Sequence, residues 1–185
     1  MTRIFFTSDL HLGHSNIIGY TNRPFKDITH MNEEIIKRWN NKVGVDDLVY
    51  HVGDFAFKNL DNKNRYEQRL NGNIVHILGN HDYNNGVKTL ILSAIMEFGN
   101  KRFLVQHRPP EKDTYIENFD AVLCGHVHQK WKHIFLQGVP IINIGTDVWG
   151  FEPITIDTIL RYYDEIMKEV NGGKNVKHKN EQKMV

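Results

Sequence analysis

Residues 74–82 read IVHILGNHD, an apolar run followed at once by a glycine and three polar residues. Short apolar runs rich in Val and Ile are typical of buried strands. In α/β proteins, binding sites form beyond the carboxyl ends of the strands. This stretch therefore predicts a buried strand that delivers Asn80, His81 and Asp82 to a site.

Four other segments repeat this pattern along the chain. The runs 4–6, 48–52, 103–105 and 121–124 are apolar and rich in Val, Ile, Leu or Phe, and each is followed within a few residues by a histidine or an aspartate. The polar segments that follow them are Asp9-Leu10-His11, Gly53-Asp54, His107 and Gly125-His126-Val127-His128. Five strand ends are therefore expected to converge on one site rich in imidazole and carboxylate groups.

The order of these motifs, D-x-H, G-D, G-N-H-D, H and G-H-x-H, resembles that of the calcineurin-like metallophosphoesterase superfamily. The opening run from Asp9 to Ile18, with Asn22 to Phe25, is similar to a small single-domain branch of it. The resemblance implies an α/β (α+β) fold, in which a two-sheet β-sandwich is flanked by helices. We expect one metallophosphoesterase domain over residues 1–171.

The resemblance also implies a dinuclear metal centre. It assigns Asp9, His11, Asp54 and His128 to one divalent ion, with Asp54 shared between the two. The second ion would take Asp54, Asn80, His107 and His126. Imidazole and hard oxygen ligands without thiolate fit several metals, so Mn is expected and Fe, Zn, Ni or Co are alternatives.

His81 lies beside a predicted ligand but is not itself assigned to a metal. In the superfamily, the histidine at this position protonates the leaving oxygen after attack by a metal-bridging hydroxide. Histidines titrate near neutral pH, which suits that role. Asp82 is expected to assist by orienting His81 or the turn that holds it, so both are predicted catalytic residues.

Three further residues are candidates for substrate contact. Arg23 and Arg108 have guanidinium groups that match phosphate oxygens, and Arg108 directly follows the predicted ligand His107. His14 lies in the loop after His11. The sequence leaves open whether His14 contacts the substrate, supports a ligand or only shapes the loop.

Composition narrows the function classes. The chain has 185 residues, a net charge of +1 and one cysteine. A net charge this small does not indicate strong binding to nucleic acid, and it does not predict electrostatic attraction to a membrane surface. A single cysteine fits a reducing compartment, and no signal peptide or membrane-spanning run is evident, so we expect a cytoplasmic protein. Residues 172–185 are polar and rich in lysine, which favours a disordered C-terminal tail.

The reaction class is better determined than the substrate. We expect a phosphodiesterase acting on a small phosphate ester, such as a nucleotide. The alternatives are a nuclease on short nucleic acids and a catalytically silent metal-binding interaction module. The sequence does not determine the oligomeric state or the preference between monoesters and diesters.

Several elements outside the motifs can also be predicted. Met31, Ile35 and Trp39 form an apolar stripe at helical spacing, so a helix is expected over residues 31–42 with Thr29 as its N-cap. A short helix is expected over 87–94 and a hairpin over 95–106, with its turn at Gly99-Asn100. A helix over about 157–170 is expected to close the domain.

Overall fold

The computed structural model describes residues 2–58 and 60–181. The chain divides into two compact units, Met1–Thr155 and Ile156–Val185, which are described separately. The strands are β1 (Ile4–Thr7), β2 (Leu48–Val52), β3 (Asn73–Ile77), β4 (Ser93–Phe98), β5 (Lys101–Gln106), β6 (Ala121–Cys124), β7 (His133–Leu136), β8 (Val139–Asn143) and β9 (Ile154–Thr155). The helices are α1 (Ser15–Tyr20), α2 (Ile28–Lys42), α3 (Leu60–Glu67) and α4 (Ile156–Glu181).

The first sheet has the strand order β3-β2-β1-β9. Its three long strands run parallel, so Phe5 lies beside Val49 and Val49 beside Ile74. Strand β9 is antiparallel to β1. Because β1, β2 and β3 are parallel, their carboxyl ends meet at one edge, as the three apolar runs predict.

The second sheet has the order β4-β5-β6-β8-β7. Strands β5, β6 and β8 are parallel, while β4 and β7 are antiparallel outer strands. The predicted hairpin is present as β4 and β5, and Gly99 at its turn has a φ of +62°. Phe6 of the first sheet meets Phe98 of the second edge to face, with ring centroids 6.0 Å apart. This two-sheet architecture with helices confirms the predicted fold class.

The two sheets are joined near their carboxyl ends. Ser8, just after β1, forms an isolated parallel bridge with Gly145, just after β8. Thr146 N–H donates to Ser8 O at 2.9 Å. This bridge brings the strand ends of both sheets to a single edge, which is where the predicted site residues lie.

Helix α2 covers the first sheet with its apolar stripe. Met31, Ile35 and Trp39 are fully buried in one cluster with Phe5 and Val49. The helix begins three residues earlier than expected, so the predicted N-cap is wrong.

The N-cap of α2 is Asp27. Its Oδ1 accepts from His30 N–H at 2.8 Å. Thr29 instead lies inside the first turn of the helix. Aspartate and threonine are both favoured N-caps, and the first apolar residue, Ile28, extends the helix back to Asp27.

The prediction of a short helix over residues 87–94 is also wrong. Residues 87–92 form no regular element, and β4 begins at Ser93. Their polar groups bond to the end of β3 instead. Leu78 N–H donates to Ile91 O at 2.8 Å, and Thr89 Oγ1 donates to His76 O at 2.9 Å.

The second unit contains helix α4, which extends past the residue where the helix was expected to end. Its described backbone continues through Glu181. Residues 182–185 of the predicted tail lie outside the described residues, and the expected domain boundary at residue 171 stays a prediction. Within the described residues, no helix has the length and apolar character needed to cross a membrane.

Candidate metal centre

The seven predicted ligands lie together at the joined strand ends. Asp9 and His11 follow β1, Asp54 follows β2, and Asn80 follows β3. The other three come from the second sheet, where His107 follows β5 and His126 and His128 follow β6. Six of them form two compact groups whose donor atoms lie within 4.8 Å of one another: Asp9, His11 and His128; and Asp54, His107 and His126.

The first group, called here the Asp9 cluster, consists of Asp9, His11 and His128. The carboxylate of Asp9 is fully buried, and its two oxygens accept from His126 N–H at 3.1 and 2.9 Å. The rings of His11 and His128 have centroids 5.2 Å apart. One oxygen donor and two imidazoles therefore face a common point.

The second group, called here the Asp54 cluster, consists of Asp54, His107 and His126. Asp54 Oδ2 lies 3.3 Å from His107 Nε2 and 3.5 Å from His11 Nε2. The Asn80 amide oxygen is 3.1 Å from His107 Nε2, which adds a neutral oxygen to this cluster. Because the Asp54 carboxylate reaches imidazoles of both clusters, it lies where a shared ligand would lie.

The backbone of the site is held in an unfavourable conformation. Five of the seven predicted ligands have left-handed φ angles between 50° and 70°: Asp9, His11, Asp54, His126 and His128. Such angles are uncommon for residues other than glycine, and they cluster at functional sites where the surrounding structure maintains them. This shared conformation turns the chain sharply after the strand. Two ligands from one motif, such as Asp9 and His11, can therefore both face the site.

Two glycines allow the motif loops to approach one another. A Cβ at Gly79 would overlap the backbone nitrogen and side chain of Asp54, and one at Gly125 would overlap Ser8 and the Asp9 carboxylate. Only glycine lets these backbones pass so close to the two carboxylates. Gly79 and Gly125 therefore permit the close approach of the loops that carry the predicted ligands.

Charges in the Asp54 cluster are strongly coupled. Burial disfavours charge on both partners, but their mutual hydrogen bond and attraction outweigh it. The pKa of Asp54 is therefore held well below its usual range, and the pKa of His107 rises to about 9. Burial and the nearby charges of His107 and Arg108 lower the pKa of His126 to about 4.

Burial has different consequences in the Asp9 cluster. It raises the pKa of Asp9 and holds the pKa of His11 well below its usual range. His11 is thus neutral near pH 7, and its 3.5 Å contact with Asp54 is not an ion pair. Neutral imidazole is the form that binds metals.

A buried ring nitrogen of the site, His11 Nε2, makes no hydrogen bond within the described residues. An unpartnered buried polar atom is costly, and in a native structure it indicates a ligand or another functional cause. With carboxylate, amide and imidazole donors around it, this nitrogen fits a divalent cation.

Comparison with known proteins identifies the family. A model described as the calcineurin-like phosphoesterase superfamily domain matches residues 3–155. This chain belongs to the calcineurin-like phosphoesterase superfamily. The match covers both sheets and every predicted site residue.

Several known proteins are similar to this superfamily member. An uncharacterised protein of Methanocaldococcus jannaschii is 33% identical over 183 residues, covering 92% of this chain and 98% of that protein. The Gene 66 protein of Mycobacterium phage L5 is 36% identical over 56 residues, covering 30% of this chain and 27% of that protein. A crystal structure of a protein of unknown function from Aquifex aeolicus is similar at a TM-score of 0.68 with 24% identity, covering 88% of this chain and 100% of that one. The structural match supports the fold.

The histidines of this phosphoesterase-family site are oriented by different partners. His107 Nδ1 donates to Val52 O at 2.9 Å, which directs Nε2 toward Asp54 and Asn80. His128 Nδ1 lies 3.0 Å from Asp147 Oδ2. Such outer contacts fix the ring nitrogen that faces a metal.

Asp147 is a candidate site residue that the sequence motifs missed. Its side chain is only 2% exposed, and besides His128 it binds Arg23 through two hydrogen bonds of 2.9 Å. The available signal was its position, because Asp147 follows the apolar run of β8 as the motif residues follow theirs. Burial opposes its charge, but His128 and Arg23 together lower its pKa.

The structure corrects the prediction that Arg23 contacts the substrate. Its side chain is fully buried. Besides binding Asp147, the guanidinium donates to Asp9 O at 2.6 Å and Leu10 O at 2.9 Å. The guanidinium thus clamps the loop after β1 to the loop after β8 and is not presented to a substrate.

Asp82 orients the turn and not His81. Its carboxylate is fully buried and accepts from the backbone N–H groups of Asp54, Phe55 and Gly79 at 2.8 to 2.9 Å. It therefore ties the G-D loop to the G-N-H-D loop. These hydrogen bonds hold the backbone of Asp54 in place.

His81 lies at the open edge of the site. Its side chain is 54% exposed, and its Nε2 is 4.0 Å from Asp54 Oδ2. Its backbone N–H donates to Asp54 Oδ1 at 3.0 Å, which fixes the loop while the ring stays accessible. The His81 ring is therefore accessible from solvent beside the Asp54 carboxylate.

The other two candidates line two different cavities at the site. Arg108 lines a cavity of about 380 Å³ together with Asn80 and His107. His14 lines a second cavity of about 330 Å³, which includes His11, His81 and His128. The structure thus places Arg108 beside the Asp54 cluster and His14 beside the Asp9 cluster.

Proposed function

We propose that this protein is a metal-dependent phosphodiesterase with two divalent ions. The observation that supports the proposal most strongly is the position of Asp54. Its carboxylate lies within 3.5 Å of imidazoles in two adjacent clusters and is only 2% exposed. A carboxylate between two donor groups is the arrangement that a shared ligand of two metals requires.

The proposed ligand sets follow the two clusters. The first ion takes the Asp9 cluster, Asp9, His11 and His128, and shares Asp54. The second takes the Asp54 cluster, Asp54, His107 and His126, together with Asn80. Mn is the proposed metal, and Fe, Zn, Ni or Co would also fit these nitrogen and oxygen donors.

The ions would supply a coordinated water of lowered pKa and neutralise charge on the phosphoryl oxygens. The protein residues supply the rest. Asp54 and Asp9 hold the centre, Asp82 and Asp147 keep its loops and His128 in position, and His81 protonates the leaving oxygen. The exposed ring of His81, beside the buried Asp54, supports this role.

The charge of the site supports a diester substrate. Asp9 and Asp54 are the only carboxylates among the proposed ligands, and Asn80 provides a neutral oxygen where a third carboxylate would lower the charge further. Two divalent ions (+4), these two carboxylates (−2) and one coordinated hydroxide (−1) would leave a net charge of +1. A phosphodiester carries one negative charge and matches it.

Hydrolysis of a chromogenic aryl phosphodiester beside its monoester tests the proposal. The purified protein would be assayed with Mn²⁺, and the His81→Ala variant would serve as the control. We expect faster turnover of the diester, lost in the variant. Bound metal without turnover of either ester would contradict the proposal and favour the silent metal-binding module.

A further inference from the structure

We propose that the leaving group of the substrate binds in the cavity beside the Asp9 cluster and carries a planar ring, as a nucleoside does. This cavity, called here the His14 pocket, is lined by His14, Tyr20, His81, Val127 and Lys130, among others. The inference rests on the proposed function. It adds a binding subsite and a class of leaving group to it.

The position of His81 decides which cavity takes the leaving group. A general acid must lie within hydrogen-bond reach of the oxygen that it protonates. His81 lines the His14 pocket. The described lining of the cavity on the other side contains Asn80, His107 and Arg108 but not His81. The departing oxygen therefore faces the His14 pocket, and the group that stays on phosphorus lies on the Arg108 side.

The walls of the His14 pocket favour a flat ring. His14 stacks on Phe57 with centroids 4.2 Å apart and planes 18° from parallel. Tyr20 meets His14 edge to face at 6.3 Å, and 71% of Tyr20 is exposed. Ile17 and Val127 add apolar surface. Aromatic side chains bind bases by stacking with little dependence on base identity, so the exposed Tyr20 ring suits this task.

The size of the His14 pocket and its contrast with the other cavity both support placing the leaving group in the His14 pocket. The pocket encloses about 330 Å³, near the lower end of the ~300–1,000 Å³ typical of small-molecule sites, so it suits one nucleoside. In the described lining of the opposite cavity, His107 is the only ring. That ring is a proposed metal ligand. Exposed aromatic surface for stacking a planar leaving group is therefore found among the residues that line the His14 pocket, at Tyr20.

The products from adenosine 5′-methyl phosphate would test this inference. Hydrolysis can expel either adenosine, leaving methyl phosphate, or methanol, leaving adenosine monophosphate. In each case water adds to phosphorus, one P–O bond breaks, and the leaving oxygen gains a proton. If the nucleoside occupies the His14 pocket, adenosine and methyl phosphate are the main products. Predominance of adenosine monophosphate and methanol would overturn the inference while preserving a phosphodiesterase.

Substitutions then test whether the His14 pocket causes this preference for adenosine release. Tyr20→Ala should lower kcat/KM for adenosine release about tenfold, because a stacking partner is lost. Tyr115→Ala removes another exposed tyrosine that does not line the pocket, and it should change nothing. Equal rates for Tyr20→Ala and the unaltered protein would contradict the inference.

A binding measurement separates this inference from the proposed function. Calorimetric titration of the Mn²⁺-loaded protein with adenosine should show binding that Tyr20→Ala weakens about tenfold. If no phosphodiester is hydrolysed, the proposed function fails, while adenosine binding that depends on Tyr20 still supports the subsite. Absence of adenosine binding, or binding unaffected by Tyr20→Ala, would overturn it.

Discussion

Aspartates lie near both ends of the parallel pair formed by β1 and β2, and their surroundings differ between the two ends. Near the amino ends, Asp47 accepts hydrogen bonds from the backbone N–H groups of Arg3 and Gly44 at 2.9 and 2.8 Å. The Arg3 guanidinium lies 2.6 Å from its carboxylate. At the carboxyl ends, Asp9 and Asp54 are buried among histidines, and both have left-handed backbone angles.

This difference indicates that the amino ends of the two strands serve stability and that the carboxyl ends serve function. The Asp47 network satisfies its charge with a nearby cation and backbone donors. The carboxyl ends instead keep strained backbone, buried carboxylates and the unpartnered His11 Nε2. Such features persist where a function requires them. Substitutions at the carboxyl ends should therefore change catalysis and metal binding, and substitutions at the amino ends should change stability.

The largest expected effect comes from Asp54→Asn. Losing the proposed shared ligand should lower turnover by more than the ~10²–10⁴-fold typical of losing a general acid, and it should weaken metal retention. The stabilisation of the protein by Mn²⁺ in a thermal melt should shrink as well. Asp47→Asn is the matched control and should retain full activity. Full turnover with two metals bound in Asp54→Asn would refute the ligand assignment.

His81→Ala should have the next largest effect, because it removes the proposed proton donor and no ligand. Turnover should fall ~10²–10⁴-fold, most for leaving groups of high pKa, while both metals stay bound. Metal content by elemental analysis and rates with a series of aryl esters would measure this. His30→Ala, which changes an exposed histidine on α2, is the control. Loss of a metal from His81→Ala would instead make His81 a ligand.

Asp147→Asn should distinguish the two clusters. It weakens the contact that orients His128, so affinity at the Asp9 cluster should fall ~10–100-fold, as is usual for such outer contacts. The Asp54 cluster orients His107 through the Val52 carbonyl and should keep its affinity. Titration with Mn²⁺ would show one weakened site and one unchanged site. Equal weakening of both, or of neither, would show that Asp147 does not orient His128 selectively.

Asp47→Asn should have the smallest effect, and only on stability. Hydrogen bonds from Arg3 and Gly44 lower the pKa of Asp47 to about 2, against an ordinary value of 3.8. Because Arg3 is half exposed, the network is worth about 1 kcal/mol at neutral pH.

The pH dependence of this effect follows from the direction of the shift. A lowered pKa means that the charged carboxylate stabilises the folded state, fully above pH 3.8. The stability difference between the unaltered protein and Asp47→Asn should therefore shrink as the pH falls from 3.8 to about 2. Urea unfolding at several pH values would measure it. A difference that persists at pH 2 would show that the charge of Asp47 is not the cause.

The sequence predicted that these residues lie together because each of them follows an apolar run. Apolar runs mark the strands, and parallel strands bring their ends to one edge, so local patterns were enough for Asp9, Asp54 or His107. The orienting partners required knowledge of distant contacts. Arg23 and Asp147 are 124 residues apart, and nothing in their local sequence shows that they pair.

The errors in the fold have a similar origin. Residues 87–92 were misread as part of a helix because their apolar spacing is ambiguous in so short a run. Their hydrogen bonds to the end of β3 decide their conformation. The N-cap at Asp27 was missed because two favoured capping residues lie close together in sequence.

The most direct test is a crystal structure of the protein grown with Mn²⁺, with anomalous scattering used to place the metal. The account predicts two peaks about 3.5–4 Å apart, which is the usual spacing of two-metal sites. One should lie in the Asp9 cluster and the other in the Asp54 cluster, with Asp54 between them. A single peak, or two peaks without Asp54 between them, would contradict the dinuclear centre on which the proposed function depends.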